Sequence, residues 1–521
     1  MSAALEKQLD RLVRNGQAAL LKGILHGIEK EGLRVDARGH LSQADHPRPL
    51  GSALTHSHIT TDYSEALLEY ITPVFRDPAD ALEFLADLHR FGYGAIGDEL
   101  VWGASMPCDI PNEESIPIAR YGSSNSGQLK HLYRVGLKYR YGKMMQTIAG
   151  IHYNFSLPDE LWQVLQEQQQ DRHSLQEFRS AQYFRLIRNF RRFGWLLLYL
   201  FGSSPALCSS FLRGRPHKLE SLRDDTLYLP YATSLRMSDL GYSNKAQSSL
   251  GICFNHLQTY TQSLHRAIHT PHAPYEAIGL RVDGEYRQLN ANILQIENEY
   301  YSDIRPKRVA SAGEKPLHAL QMRGVEYVEI RNLDINPFLP VGIDRQQADF
   351  LDAFLVTCLL ASDDLIDDDE CDRISENLAR VVNRGREPGL ELTFGDGERP
   401  LLDWGREILD EVGKTASVMD GNVEDSRYSR AVAAQREKLE EPDLTPSAQV
   451  LRHLREEGIG YSEFVLAQSR AHRDLLLATA LQPERLEYLS RMAAASLDEQ
   501  AEMEASDSLA FDEFLAQYLA S

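Results

Sequence analysis

Apolar residues along this chain follow two different rhythms. In several stretches they recur every three to four positions, as expected of helices with one buried face. Residues 77–89 carry Ala79, Leu82, Leu85 and Leu88 on one side. Residues 175–200 carry Phe178, Phe184, Ile187, Phe190, Phe193 and Leu197, which predicts one long helix. Residues 344–360 continue the pattern with Phe350, Phe354, Val356 and Leu359. The first 23 residues read as an amphipathic helix, with Leu5, Leu9, Leu12 and Val13 set among charges. The last ~70 residues are helical in composition, rich in Ala, Leu, Glu and Arg. The acidic run 363–370 reads as a solvated loop, since it lacks the spacing of a calcium-binding loop.

Between the helices the rhythm changes to strict alternation, which predicts strands. In 27–35, Glu29 and Glu31 share a face with Leu33 and Val35. In 65–72, Glu69 shares a face with Leu67 and Ile71. In 150–155, His152 and Asn154 oppose Ile151, Tyr153 and Phe155; in 294–301, Gln295, Glu297 and Glu299 oppose Ile296. In 325–333, Tyr327, Glu329 and Arg331 oppose Val328 and Ile330. Each segment alone fits a strand with one solvated face. Several of them, interleaved with helices, predict an α+β fold: a curved, mainly antiparallel sheet whose concave face is a polar, acidic cavity. The 521 residues suffice for about three domain-sized units or for one large core with appendages.

Composition narrows the function. A formal net charge of −21 argues against nucleic-acid or anionic-membrane partners, which need a cationic surface. The five cysteines are scattered without a Cys-x-x-Cys pair, as in a reduced cytoplasmic protein. The densest apolar run, 195–201, is far shorter than the ~20 residues of a membrane span.

No Gly-x-x-x-x-Gly-Lys-Ser/Thr or Gly-x-Gly-x-x-Gly occurs, so any bound nucleotide must be held by other means. Glu29 and Glu31 lie about 6.5 Å apart on one strand face and repel each other unless a cation intervenes. Two readings fit the pair: a solvated edge strand with Lys30 opposite, or a site for a hard divalent cation such as Mg²⁺. Glu329 and Arg331 fit either a cross-strand ion-pair network or a metal ligand beside a phosphate-facing cation. His56 and His58 share a strand face but lack the further ligands a zinc site needs. Arg185, Arg188 and Arg192 form a helix stripe that reads as ion-paired or solvated.

Several segments carry a family resemblance. They include Gly-Ile-Glu-Lys-Glu-Gly-Leu-Arg-Val at 27–35, Ile-Thr-Thr-Asp-Tyr-Ser-Glu-Ala-Leu-Leu-Glu-Tyr-Ile-Thr-Pro at 59–73 and Gly-Ile-His-Tyr-Asn-Phe-Ser at 150–156. They continue with Ala-Thr-Ser-Leu-Arg-Met-Ser-Asp-Leu-Gly-Tyr at 232–242, Leu-Gln-Ile-Glu-Asn-Glu-Tyr-Tyr at 294–301 and Val-Glu-Tyr-Val-Glu-Ile-Arg-Asn-Leu-Asp-Ile-Asn-Pro-Phe at 325–338. With these, the chain resembles the proteobacterial type of glutamate–cysteine ligase, strongly to about residue 380 and more weakly beyond. The resemblance implies a glutamine-synthetase-like funnel formed by residues 1–380, with a mostly helical region, 381–521, packed on it. It implies the joining of L-glutamate and L-cysteine at the expense of ATP through a γ-glutamyl phosphate, the first step of glutathione synthesis. Glu29, Glu31, Asp62, Glu69 and Glu329 then correspond to ligands of Mg²⁺, for which Mn²⁺ can substitute. Arg331 corresponds to the phosphate-facing arginine, and Tyr133, Leu137, Gln146, His152, Arg236, Tyr242 and Tyr301 to the group around the cysteine substrate. A cytoplasmic monomer or small homo-oligomer is expected. Lys30 and Gly32 depart from the family pattern, on side chains that alternate away from the carboxylates.

Overall fold

The computed structural model describes residues 2–241, 250–311, 313–421 and 426–520. Its centre is a seven-stranded antiparallel sheet of β1 (Leu25–Val35), β2 (Ile59–Thr61), β3 (Leu67–Ile71), β4 (Leu100–Val101), β5 (Ile151–Ser156), β6 (Ile304–Lys307) and β7 (Tyr327–Leu333). The strand order is β6-β7-β5-β1-β3-β2, with β4 pairing the far end of β1. β1 is therefore a central strand, flanked by β3 and β5, which overturns the solvated-edge alternative for Glu29 and Glu31.

Alternation along these strands sorts the side chains as expected. Ile28, Ile151, Tyr153, Phe155, Val328 and Ile330 are fully buried on the convex face. The chain opens with α1 (Ser2–Arg14), and against that face pack α2 (Pro78–Ala95), α4 (Leu175–Phe193), α5 (Trp195–Phe201) and α6 (Arg345–Leu360), the last of which lies along α4. The predicted helix over 175–200 is thus two helices, with its hydrogen-bond ladder interrupted at Gly194. Under the sheet, His26 and the Tyr153 hydroxyl both hydrogen-bond the fully buried Asp352 carboxylate of α6. Further along come α7 (Asp368–Arg384), α8 (Leu401–Asp420), α9 (Tyr461–Leu477), α10 (Pro483–Ser506) and α11 (Phe511–Ala520). Among the described residues no helix is long and apolar enough to cross a membrane.

Two further expectations change, and a third is narrowed. Residues 294–301 form no strand: Glu297–Glu299 is a single 3-10 turn between irregular segments. The acidic run is only half loop, since Asp367 caps α7 and Asp368, Asp369 and Glu370 fill its first turn, where carboxylates favour the helix dipole. For the arginine stripe the ion-paired alternative holds and the solvated one does not. Arg185 bonds the Ala361 carbonyl, while Arg188 pairs with Asp363 and Arg192 with Glu370.

Lys30 does point away from Glu29 and Glu31, but into the core, 2% exposed, with its Nζ 3.0 Å from His89 Nε2. Burial pushes its ammonium down to about 7. Between that value and the ordinary 10.5 the unfolded chain binds the additional proton, so stability rises with pH across this window. Replacing Lys30 with Met, which has no charge to desolvate, is expected to raise the melting temperature below pH 7. Thermal melts should show the gain vanishing as pH approaches 10.5, where neutral Lys30 keeps its His89 contact.

Candidate active site

Strand register brings the carboxylates together. Glu31 of β1 stands directly opposite Glu69 of β3, and Glu29 directly opposite His152 of β5. Glu329 of β7 faces Asn154 of β5 on one side and Arg305 of β6 on the other. After Ile330, β7 accommodates one more residue than β5 before Leu333 meets Ile151, and Arg331 sits at this bulge. These side chains line a cavity of about 410 Å³ on the concave face, within the usual range for small-molecule sites.

The His152 ring is at the centre of the acidic cluster. Its Nδ1 lies 3.1 Å from Glu29 Oε2, 3.4 Å from Arg331 Nη1 and 3.9 Å from Glu329 Oε1, and its Nε2 lies 3.6 Å from Glu31 Oε1. Asn154 donates to Glu29 Oε1 at 2.9 Å, and the Gly150 amide donates to Glu31 Oε2 at 2.7 Å. Glu329 is 1% exposed and has Arg331 at 3.2 Å and Lys307 at 3.4 Å. One ligand atom each from Glu29, His152 and Glu329 falls within a 4.8 Å cluster, a spacing one cation can bridge.

The carboxylates divide into two electrostatic classes. Burial pushes Glu69 up, and the charges of Glu29, Asp62 and Glu31 push it well above the usual carboxylate range. Burial raises Glu31 too, despite His152 beside it. For Glu329, burial is outweighed by Lys307, Arg331, His152 and Arg305, which hold it well below the usual range. Glu29 lies below its ordinary value because the His152 hydrogen bond and nearby cations outweigh its burial. Like charges on directly opposed strand positions are destabilising, so the Glu31–Glu69 side stores repulsion that a bound cation relieves.

The rest of the lining is mixed: an apolar and phenolic patch lies alongside Lys130, Arg134, Asn298 and Glu299. From α3 (Asn125–Tyr141) come Leu129, Tyr133 and Leu137; from the following segments come Gln146, Leu289, Ile296 and Tyr301. Asp62 lines the cavity, its backbone carbonyl held by the Tyr121 hydroxyl and the Arg134 guanidinium.

Of the sequence-derived set, Glu29, Glu31, Asp62, Glu69, Glu329, Arg331, Tyr133, Leu137, Gln146, His152 and Tyr301 all line this one cavity. His152, grouped in sequence with the cysteine substrate, lies among the carboxylates of the same cavity. Arg236 is not on the wall; 1% exposed, it donates to the Arg331 carbonyl at 2.8 Å from beneath. Tyr242 lies outside the described residues. Glu297 and Glu299, candidate carboxylates on the expected strand, are used structurally. Glu297 accepts from the Leu317 amide, and Glu299 pairs with Arg140 at 3.0 Å and accepts from the Gln295 amide. His56 Nδ1 accepts the amides of His58 and Ile59, and His58 bonds the Tyr488 hydroxyl; among the described residues neither belongs to a group of three metal-capable side chains.

Sequence reasoning passed over Lys130, Arg305 and Lys307, all on the cavity wall. Alternation in Ile304–Lys307 was the available signal for the last two. A larger cleft, about 1040 Å³, lies between α4, α7 and α8. Its charged groups neutralise one another, as Arg192–Glu370, Arg399–Glu407 and Lys414–Glu411, so it offers no comparable concentration of one sign.

Crowded carboxylates backed by buried cations on one sheet face offer the oxygen donors that divalent metals use. Comparison with known proteins is consistent with that chemistry. The family model described as glutamate–cysteine ligase matches residues 9–381. The glutamate–cysteine ligase of Pseudomonas putida is 53% identical over 521 residues, covering 100% of this chain and 99% of its own. That of Azotobacter vinelandii is 53% identical over 524 residues, with the same coverage. A crystal structure of the Francisella tularensis glutamate–cysteine ligase in complex with AMP superposes with a TM-score of 0.90 at 39% identity, over 96% of this chain and 98% of that one. A bifunctional glutathione synthetase from Pasteurella multocida shares the fold, with a TM-score of 0.71 at 24% identity over 90% of this chain and 55% of its own. The chain belongs to the glutamate–cysteine ligase family.

Proposed function

We propose that the protein joins the γ-carboxylate of L-glutamate to the amine of L-cysteine, converting ATP to ADP and phosphate and releasing γ-glutamylcysteine. The observation that carries this reading is one cavity that joins a cluster of carboxylates and cations to a patch of apolar and phenolic side chains, in a member of this family.

The donor set suits Mg²⁺ or Mn²⁺: Glu29, His152 and Glu329 cluster closely enough for one ion, and Glu31, Asp62 and Glu69 offer oxygens for others. Bound there, such ions supply neutralisation of phosphate charge. Arg331, fixed by Glu329, presents a guanidinium toward transferring phosphate oxygens, with Arg305 and Lys307 on the same flank. A carboxylate resists attack by an amine until one of its oxygens is phosphorylated. The γ-glutamyl phosphate so formed loses phosphate when the cysteine nitrogen bonds to the acyl carbon. The residues at that step position and desolvate. Tyr133, Leu137, Gln146 and Tyr301 line the amino-acid side, and Arg236 is a positioning residue acting through the Arg331 backbone. Dependence on ATP and a free thiol supports a place in the reducing cytoplasm.

Purified protein given ATP, Mg²⁺, glutamate and cysteine is expected to yield γ-glutamylcysteine by mass spectrometry, and none when the metal is chelated. Phosphate release with a preference for an amine other than cysteine would refute the assignment of the acceptor.

A further inference from the structure

The wall of the amino-acid side is completed from a distant part of the chain. Tyr518 of α11 lines the same cavity as Glu29 and Arg331, although nearly two hundred residues separate it from β7. Phe511, Leu515, Tyr518 and Leu519 recur at helical spacing along one face of α11. Leu515 is 5% exposed in a small apolar cluster with Leu132 of α3 and Leu289, distinct from the main core. Leu129, Tyr133 and Ile296, which line the cavity, pack on that same cluster.

Polar contacts hold the helix in place. Asp512 accepts from the Tyr286 hydroxyl at 2.6 Å and from Arg281 at 3.0 Å, and the Arg281 guanidinium stacks on the Tyr286 ring. Just before the helix, Asn125 at the start of α3 donates to the Leu509 carbonyl at 3.0 Å. The Lys315 ammonium lies 4.9 Å from the centre of the Tyr518 ring. Behind that ring is a second, smaller cavity of about 70 Å³, which Tyr518 and Ile296 also line. Tyr518 therefore borders both the active-site cavity and this smaller space.

We infer that Tyr518 is a substrate-contacting residue for the acceptor amino acid, and that α11 is the element that closes the cavity around it. The inference rests on the function proposed above. The chemistry follows from the cavity's lining. The acidic cluster, with its arginines and lysines, fits phosphates and metal, which leaves the uncharged body of the acceptor for the patch of Leu129, Tyr133, Leu289, Ile296 and Tyr518. That patch must also exclude water, because an acyl phosphate exposed to water hydrolyses before the amine reaches it.

Three variants of the full chain test this. Tyr518→Ala is expected to raise KM for cysteine about tenfold, the scale of losing a packing contact in a specificity pocket. KM for ATP should stay within about twofold, and more ATP should be consumed per γ-glutamylcysteine formed. Tyr518→Phe, which keeps the ring, should stay close to wild type. Asp512→Ala loosens the docking of α11 without touching the cavity and should shift cysteine KM and coupling in the same direction, by less. Unchanged cysteine KM and unchanged coupling in Tyr518→Ala would overturn the inference, as would a shift confined to glutamate or ATP. A wild-type protein that makes no γ-glutamylcysteine would instead defeat the function proposed above.

Discussion

Replacing Glu329 with Gln is expected to lower turnover about 10³-fold or more and also to destabilise the protein. The activity loss follows because Glu329 is both a candidate metal ligand and the group that fixes Arg331, and arginine stabilisation of phosphoryl transfer alone is worth about that much. The stability loss follows from the cations around it. Glu329 is 1% exposed, beside Lys307 and Arg331, with Arg305 opposite on β6. Removing the negative partner takes the nearest carboxylate from Arg331 and Lys307, a loss below the ~3–5 kcal/mol of a fully buried pair because Lys307 is 31% exposed and Glu29 and Glu31 still act on Arg331. Because the folded protein holds this carboxyl below its ordinary 4.5, its contribution is fully present above that pH and is lost as pH falls below it. Thermal melts of wild type and Glu329→Gln should therefore differ most above pH 4.5 and converge in acid.

Replacing Glu69 with Gln is expected to cost at least ~10²-fold in turnover, yet to raise the melting temperature of metal-chelated protein. Burial and three neighbouring carboxylates penalise its ionised form. A carboxyl held above its ordinary value binds protons more tightly folded than unfolded, so its penalty grows as pH rises past 4.5. The advantage of Glu69→Gln should be absent in strong acid, appear above pH 4.5, and shrink when Mg²⁺ or Mn²⁺ is added. Two acids of one cluster thus behave oppositely in stability while failing alike in activity. A structural ion-pair network would give losses of stability at both positions, because every member would be paired.

The sheet was readable because its strands have one buried and one polar face, so parity alone assigned Glu29, Glu31, Glu69, His152 and Glu329 to the concave side. Parity does not give register. That Glu31 meets Glu69, and that Glu29 meets His152, depends on how β1 pairs with β3 and β5. For the same reason alternation sent Lys30 to the opposite face without revealing that this face is the core. Residues 294–301 imitate a strand because Gln295, Glu297 and Glu299 alternate with Leu294, Ile296 and Tyr300, with only Asn298 breaking the apolar face. Their carboxylates instead satisfy the Leu317 amide and Arg140, contacts between segments remote in sequence. The 175–200 helix kept one apolar phase through Gly194, so periodicity had nothing to mark the interruption. Tyr518 carries no local signal at all: its place in the cavity is set by Leu515 and Asp512 docking on α3 and the Arg281–Tyr286 pair.

The central claim is that one concave sheet face holds divalent cations between carboxylates for ATP-dependent ligation. Anomalous diffraction from crystals grown with Mn²⁺ and a non-hydrolysable ATP analogue tests it most directly. The account predicts a peak ligated by Glu29, His152 and Glu329, and a further peak toward Glu31 and Glu69, with the triphosphate between them and Arg331. Peaks confined to other sites under saturating Mn²⁺, with Glu329 still paired to Arg331 and Lys307, would contradict it.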